Sequence, residues 1–294
     1  MTDKNASLRQ EDRVNKRAGH IAVGHKDRAI VWGGYLENQV DNDQYWNSSE
    51  VMVYNSLTQT WVCQRTTGDV PSKCSGAAAT VLGDAMYVVA GFHKVVISYK
   101  EFREGNEDIH PWLESDSDTE DDEANSMVSS VEISNNIWSL DLLTWVWTKL
   151  NPGGEPPLKC DKTACWTYRD KVYVFGGFGP PPSTSQMDKK CSLYEFTEDP
   201  STNVGYIRGW SNQLVCYNTS TNKWEWPVTM GPVPSPRAAH SVAIVGDMAY
   251  VFGGRHLNTR LNDLYSLNLT TMRYGSKDYF KTNRIVLYIL GGAL

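Results

Sequence analysis

Four times along this chain an apolar strand runs into a pair of small residues, and that recurrence limits the fold more than any other feature. The copies read RAIVWGGY from Arg28, AMYVVAGF from Ala85, KVYVFGGF from Lys171 and MAYVFGGR from Met248. A further copy, IVLYILGGAL, spans Ile285 to Leu294. Ahead of each glycine strand stands another short strand introduced by a basic residue, as in KRAGHIAV, SKCSGAAATV, LKCDKTACWTY and SPRAAHSVAIV. Behind it come a strand with a central Tyr or Trp, a polar turn such as NSLTQT or NTSTNK, and a strand opening on Trp. Four short strands per unit, with turn chemistry between them and the unit repeated, predict an all-β chain folded as a β-propeller. The count is about four blades plus part of a fifth, which predicts an incomplete, open propeller. A plain β-sandwich with chance glycines is the alternative, and the recurring order of Gly-Gly, Tyr and Trp argues against it.

The glycine pair fits a strand end where backbone approaches backbone and a Cβ would clash. The 11 Trp and 15 Tyr suit rings packed between neighbouring blades. The expected propeller covers residues 17–294, after a polar, disordered stretch at 1–16. An insert at about 100–130 interrupts the second unit. Its core, ESDSDTEDDEANS, holds too few apolar residues to bury and is expected to be a disordered loop. Ser115, Ser117 and Thr119 lie among its acids as candidate phosphorylation sites, with a solvated spacer as the plainer reading. The proline-bearing insert of the third unit, from GPPPSTSQ to GYIRGW, is expected to extend across one face. After LNDLYSLNLTTM the sequence passes to the next glycine strand without the Trp-bearing outer strand or the next opening strand, which reads as a fragment or shortened isoform.

Several function classes are disfavoured. The net charge of −6 gives no basic surface for nucleic acid. The N-terminus has no apolar signal region and no run is long enough to span a membrane, so cytoplasm or nucleus is expected. The six cysteines form no C-x-x-C pair and are expected to be reduced and mostly buried. No metalloprotease, nucleophile-elbow or P-loop pattern occurs, so no enzyme, cofactor or metal is expected. Copper-oxidase propellers use Tyr, Cys and His ligands, but no spacing here singles out such a set. His20 and His240 hold the same place in two repeats, which favours a structural role.

The binding residues are expected at one end of the central channel, where the connections after the glycine strands gather. There Tyr35, Phe92 and Phe178 meet Arg255, with Arg260 on the same loop. Lys162 opens the third unit beside this region, and the third insert delivers Arg208 and Trp210. Cations beside flat rings suit a peptide carboxylate, the arginines taking its oxygens and the rings its chain. Ion pairing of Arg260 with Asp263, and of Arg255 with some nearby acid, is the plainer alternative.

The repeat resembles the kelch unit over nearly the whole chain, with Ala90-Gly91 departing from Gly-Gly in the second copy. LKCDKTACW, RGW, PSPRAAH and FGGRHLNTRLNDLYSLNL further resemble the kelch-domain-containing substrate receptors of cullin-RING ubiquitin ligases. That resemblance implies a C-degron receptor, a non-catalytic adaptor that binds the C-terminal peptides of client proteins, often ending Gly-Gly. It implies that Arg255 and Arg260 clamp the terminal carboxylate, that Trp210 walls the site and that Lys162 adds a donor. Phe178 stands where the family commonly has Tyr, so one hydroxyl is lost. The next blade's R-S-W-H motif is missing. The helical segment that docks elongin B/C–cullin-2 in full-length relatives is also missing, so ligase assembly is not expected of this chain. A general kelch interaction scaffold, or a defective isoform, is the alternative function.

Overall fold

The computed structural model describes residues 16–36, 44–98, 109–111, 127–183, 195–202 and 207–275. The N-terminal stretch 1–15, the acidic run Glu114–Ser126 and the fifth copy of the glycine strand lie outside them.

Four antiparallel sheets follow one another along the chain, each built from one repeat. In the first, the order is Ile21–His25, Arg28–Trp32, Glu50–Asn55 and Thr60–Arg65. The third runs Ala164–Tyr168, Lys171–Phe175, Leu214–Asn218 and Lys223–Glu225, and the fourth runs Ser241–Val245, Met248–Phe252, Leu264–Asn268 and Arg273–Gly275. The second has Ala78–Leu82, Ala85–Val89, Ile137–Asp141 and Val146–Leu150, with Thr67–Gly68 added in parallel at its outer edge. The first strands of successive sheets lie side by side, so they line a common axis while the later strands fan outward. This is an incomplete propeller of four described blades, as the repeat predicts.

Each blade's outer turn is closed in the same way. Asn55, Asp141, Asn218 and Asn268 each accept the backbone N–H groups two and three residues on, at 2.8–3.1 Å. Such local bonds pre-form the turn and compete well with continued strand.

The apolar core lies between blades, not within them. Trp32, Val51 and Val53 of the first blade pack against Met86, Trp138 and Trp147 of the second. Val89 and Ile137 of the second meet Val172, Val215 and Tyr217 of the third, and Phe175 and Leu214 of the third meet Val251 and Leu267 of the fourth. Trp32 and Trp147 sit with ring centroids 5.3 Å apart. Truncating a fully buried ring of this size costs about 3–5 kcal/mol, so these rings hold neighbouring repeats together.

The glycine pairs are where one blade's backbone touches the next. Gly34, Gly91 and Gly177 donate their N–H groups to the carbonyls of Cys74, Cys160 and Arg237, at 2.8–2.9 Å. A Cβ on Gly176 would stand 2.7 Å from the Arg237 carbonyl oxygen, at a φ of +69°. Ala90 takes the first glycine's place in the second repeat and keeps its left-handed φ of 64°.

His240 is buried edge-on to Phe175, with centroids 5.3 Å apart. Burial, and then the Arg237 charge, hold its pKa down to about 3. The folded state therefore binds fewer protons than the unfolded chain, whose histidine titrates near pH 6.5. Stability from this group is whole above about pH 6.5 and falls by up to about 1.4 kcal/mol per pH unit as acid is added. The urea midpoint should drop between pH 7 and pH 5, and His240→Phe should make that drop shallower. An equal drop in the variant would place the acid sensitivity elsewhere.

The thiols of Cys74, Cys160, Cys165 and Cys216 are shifted well up by burial, that of Cys160 to about 12. They are inert packing groups in this fold. Cys63 is exposed.

Candidate functional site

An open arc of backbone hydrogen bonds organises the channel mouth. Gly76 N–H donates to Gly19 carbonyl, Lys162 to Gly76 and Ala239 to Lys162, at 2.7–2.9 Å. These four residues occupy one repeat position, and all are left-handed, with φ of 64°, 64°, 53° and 53°. Two are glycine, for which that conformation is free of strain. Lys162 is a long side chain held there against its own preference, and such strain concentrates at working sites. Lys162→Gly should leave stability unchanged or raise it by up to about 1 kcal/mol. The same change should weaken binding of a free C-terminal peptide, and a thermal melt beside a titration would separate the two effects.

The residues after the glycine pairs come into register along this arc. Tyr35 pairs with Ala18, Phe92 with Ser75, Phe178 with Asp161 and Arg255 with Ala238. The four connections therefore reach one end of the channel together. The third insert folds back as a small sheet of Phe178–Gly179, Phe196–Glu198 and Gly209–Ser211, which sets Trp210 directly across from Phe178. Within the second insert's expected span, Ile109–Pro111 and Met127–Ile133 are strands paired to each other, and Met127–Ile133 also pairs with Phe92–Ser98.

The structure brings the expected site residues into one cluster. Phe178 and Trp210 pack with ring centroids 4.9 Å apart. The Arg255 guanidinium carbon is 5.9 Å from the Trp210 centroid, and Lys162 Nζ is 5.9 Å from that of Phe178. Trp210 is buried, while Lys162, Arg255 and Arg260 are exposed. Arg255 and Arg260 stand directly opposite each other on the short hairpin of Arg255–His256 and Thr259–Arg260. Cross-strand partners project to one face, so two positive charges face the same way, an arrangement that is unfavourable unless an anion joins them.

The plainer reading of these arginines fails on geometry. Asp263 is taken by Arg237, whose Nη1 and Nη2 lie 2.7 and 3.1 Å from its two oxygens. Arg255 Nε donates to the Leu257 carbonyl at 2.8 Å. Neither Arg255 nor Arg260 has a carboxylate partner among the described residues.

Beyond the residues the motifs indicate, Asp161 takes part, held by Arg208 of the third insert. Arg208 lies over Phe178 at 4.3 Å and donates to Asp161 Oδ1 at 2.9 Å. Asp161 is buried and also has Lys162 Nζ 3.7 Å from Oδ2. Lys162 is thus partly neutralised, and the uncompensated charge of the rim belongs to Arg255 and Arg260. The signal for Asp161 was present in the repeat, since its equivalents Ala18, Ser75 and Ala238 are all uncharged. His256 packs edge-on to Trp210 at 6.0 Å, and burial, then Arg237, lowers its pKa, so it adds no charge near neutrality. No group of three or more metal-ligating side chains occurs among the described residues, and no described helix is long and apolar enough to cross a membrane.

Blade geometry, glycine contacts and a channel rim of cations and rings define a kelch-repeat propeller of the protein-binding kind. Specifically, the chain belongs to the family described as the KLHDC2/KLHL20/DRC7 Kelch-repeats domain, whose model matches residues 128–278, about half of its length. It is 34% identical to Kelch domain-containing protein 2 of Bos taurus over 261 residues, which is 88% of this chain and 55% of that protein. It is 29% identical to human Kelch domain-containing protein 1 over 270 residues, covering 90% of this chain and 56% of that one. Human Host cell factor 2 is 26% identical over 273 residues, or 89% of this chain and 27% of its own length. The chain spans about half the length of the first two relatives.

Proposed function

We propose that the rim built by Arg255, Arg260, Lys162, Trp210 and Phe178 binds the C-terminal carboxylate of client proteins. The chain is then the recognition part of a non-catalytic adaptor resembling the receptors of cullin-RING ubiquitin ligases. One observation carries the reading: two arginines face each other across a hairpin, while the nearest candidate acid, Asp263, is held by Arg237. A carboxylate has two oxygens and a guanidinium offers paired N–H groups, so the arginine pair matches that group in charge and shape. Trp210 and Phe178 give the preceding residues of a peptide an apolar wall, and Phe178 brings no hydroxyl to it.

The test compares one C-terminal peptide ending Gly-Gly as free acid and as amide. The acid should bind this chain and the amide should bind at least about tenfold more weakly, as expected when a hydrogen-bonded charge is removed. Equal binding would sink the carboxylate reading. Proteins seated on the rim without a free terminus would then favour a general interaction scaffold.

A further inference from the structure

A second feature lies on the outer part of the second blade, away from the arginine hairpin. A cavity of about 460 Å³ opens there between the linker Asp69–Ser72 and the end of strand Val146–Leu150. Such a volume suits a ligand of a few residues, since small-ligand sites run about 300–1,000 Å³.

The repeats show why this cavity exists. The Thr67–Val146 parallel pair of the second blade corresponds to the parallel bridge of Gly153 with Lys223 in the third. By that register Ser72 corresponds to Leu158 and Lys149 to Trp226. By the pairing of Val89 with Ile137 and of Phe175 with Leu214, Asn136 corresponds to Gln213. In the third blade the place is filled. Leu158 and Gln213 are buried, Leu158 N–H donates to Gln213 Oε1 at 2.8 Å, and Trp226 Nε1 donates to the Glu155 carbonyl at 2.9 Å. The second blade substitutes a smaller or charged residue at all three positions and keeps the frame around them. Its floor is ordered: His93 is 1% exposed, with Nδ1 3.0 Å from Ser72 Oγ and Nε2 3.2 Å from the Ala90 carbonyl, and it packs on Trp138 at 5.3 Å.

We infer that this cavity is a second recognition site, and that it takes an extended peptide segment carrying a basic side chain. The side-chain amides of Asn136 and Asn151 line it without partners among the described residues. Each offers one acceptor and two donors, the complement of a peptide group. Two carboxylates, Asp69 and Glu132, face one ammonium, Lys149, so the wall is net negative. Asp69 Oδ2 accepts the Lys149 backbone N–H at 3.1 Å, which fixes that carboxylate at the rim. Lys149 Nζ is drawn over the Trp138 ring, 5.9 Å from its centroid, leaving the carboxylates to a cation from outside. The site needs no free terminus, so it is independent of the carboxylate reading.

The probe is a fluorescein-labelled pentapeptide, Gly-Ser-Arg-Ser-Gly, acetylated and amidated, titrated into the full chain by anisotropy. Saturable binding is expected, and about tenfold weaker binding when its arginine is replaced by glutamine. Ser72→Leu with Lys149→Trp, which restores the third blade's filling, should abolish binding while the melting temperature stays level or rises. Asp69→Asn with Glu132→Gln, two changes at the cavity wall, should weaken it at least about fivefold, and these keep the test decisive should the filled variant not fold. Arg255→Ala with Arg260→Ala should leave it unchanged. Absence of saturable binding, equal affinity for the glutamine peptide, or loss only in the Arg255 and Arg260 variant would each overturn the inference.

Discussion

Replacing Arg237 by methionine should destabilise the chain by about 3–5 kcal/mol, the cost of breaking a buried ion pair from one side. Arg237 is 0% exposed and all five of its N–H donors are engaged. Nε donates to the Ser235 carbonyl and Nη2 to Ser235 Oγ, at 3.0 and 3.1 Å. Nη1 donates to the Gly253 carbonyl at 3.0 Å, and the guanidinium grips both oxygens of Asp263. Methionine would leave the Asp263 carboxylate, 13% exposed, without this partner. At the same repeat position the third blade uses a neutral pair, Gln213 Nε2 donating to Cys160 Sγ at 3.6 Å. Transplanting that pair as Arg237→Cys with Asp263→Gln should recover most of the lost stability, because no buried charge is left alone. Denaturant unfolding of the three proteins measures both effects. A loss under about 1 kcal/mol in Arg237→Met would show the pair to be dispensable.

Gly253 and Asp263 bracket the arginine hairpin, so Arg237 is a positioning residue for it. The second large effect is expected in that hairpin itself. Arg255→Ala and Arg260→Ala should each weaken a free-acid C-terminal peptide by about 1.5–3 kcal/mol, roughly 10- to 150-fold, as for a hydrogen bond to a charged group. The double variant should lose less than the sum, because both arginines serve one carboxylate. Neither change should move binding of the amidated peptide, and neither should lower stability, since removing one of two facing like charges relieves repulsion. Both side chains are exposed, so binding should also weaken as salt rises toward 1 M. Arg28→Ala is the control, an exposed cation at the opposite end of its blade. Calorimetric titration at two salt concentrations reads all of this, and equal loss in the control would assign the effect to net charge alone.

The propeller was legible because its signals are local and repeated. A glycine pair, a turn-forming Asn or Asp, and a Trp recur in order: the Asn or Asp closes a turn within its own repeat, and the glycines and Trp meet the neighbouring one. The inter-blade contacts of Trp32 with Trp147 follow once the repeats are stacked. The site was legible in part. Arg255 and Phe178 share a repeat position, so their convergence at one end could be argued from alignment alone. Trp210 was placed by motif resemblance, and the small sheet of the third insert explains physically how it reaches Phe178. The Asp161 carboxylate between Arg208 and Lys162 was not anticipated, because its partner Arg208 lies 47 residues away, at the far side of the third insert. The cavity beside His93 was missed as well. It arises from what three side chains fail to fill, and an unfilled volume has no residue of its own to announce it.

The sequence by itself determined the architecture: repeat, strand order, the glycine contacts and the position of each binding loop follow from short-range chemistry copied along the chain. Only the tertiary structure decided how the charges are shared. Arg237, Arg255 and Arg260 are equivalent as letters, and Asp263 lies closest in sequence to Arg260. Packing of the fourth blade buries Arg237 against that carboxylate and leaves the other two facing solvent. Which cation is structural and which is open to a ligand depends on burial and on bond direction in three dimensions, and sequence proximity carries neither.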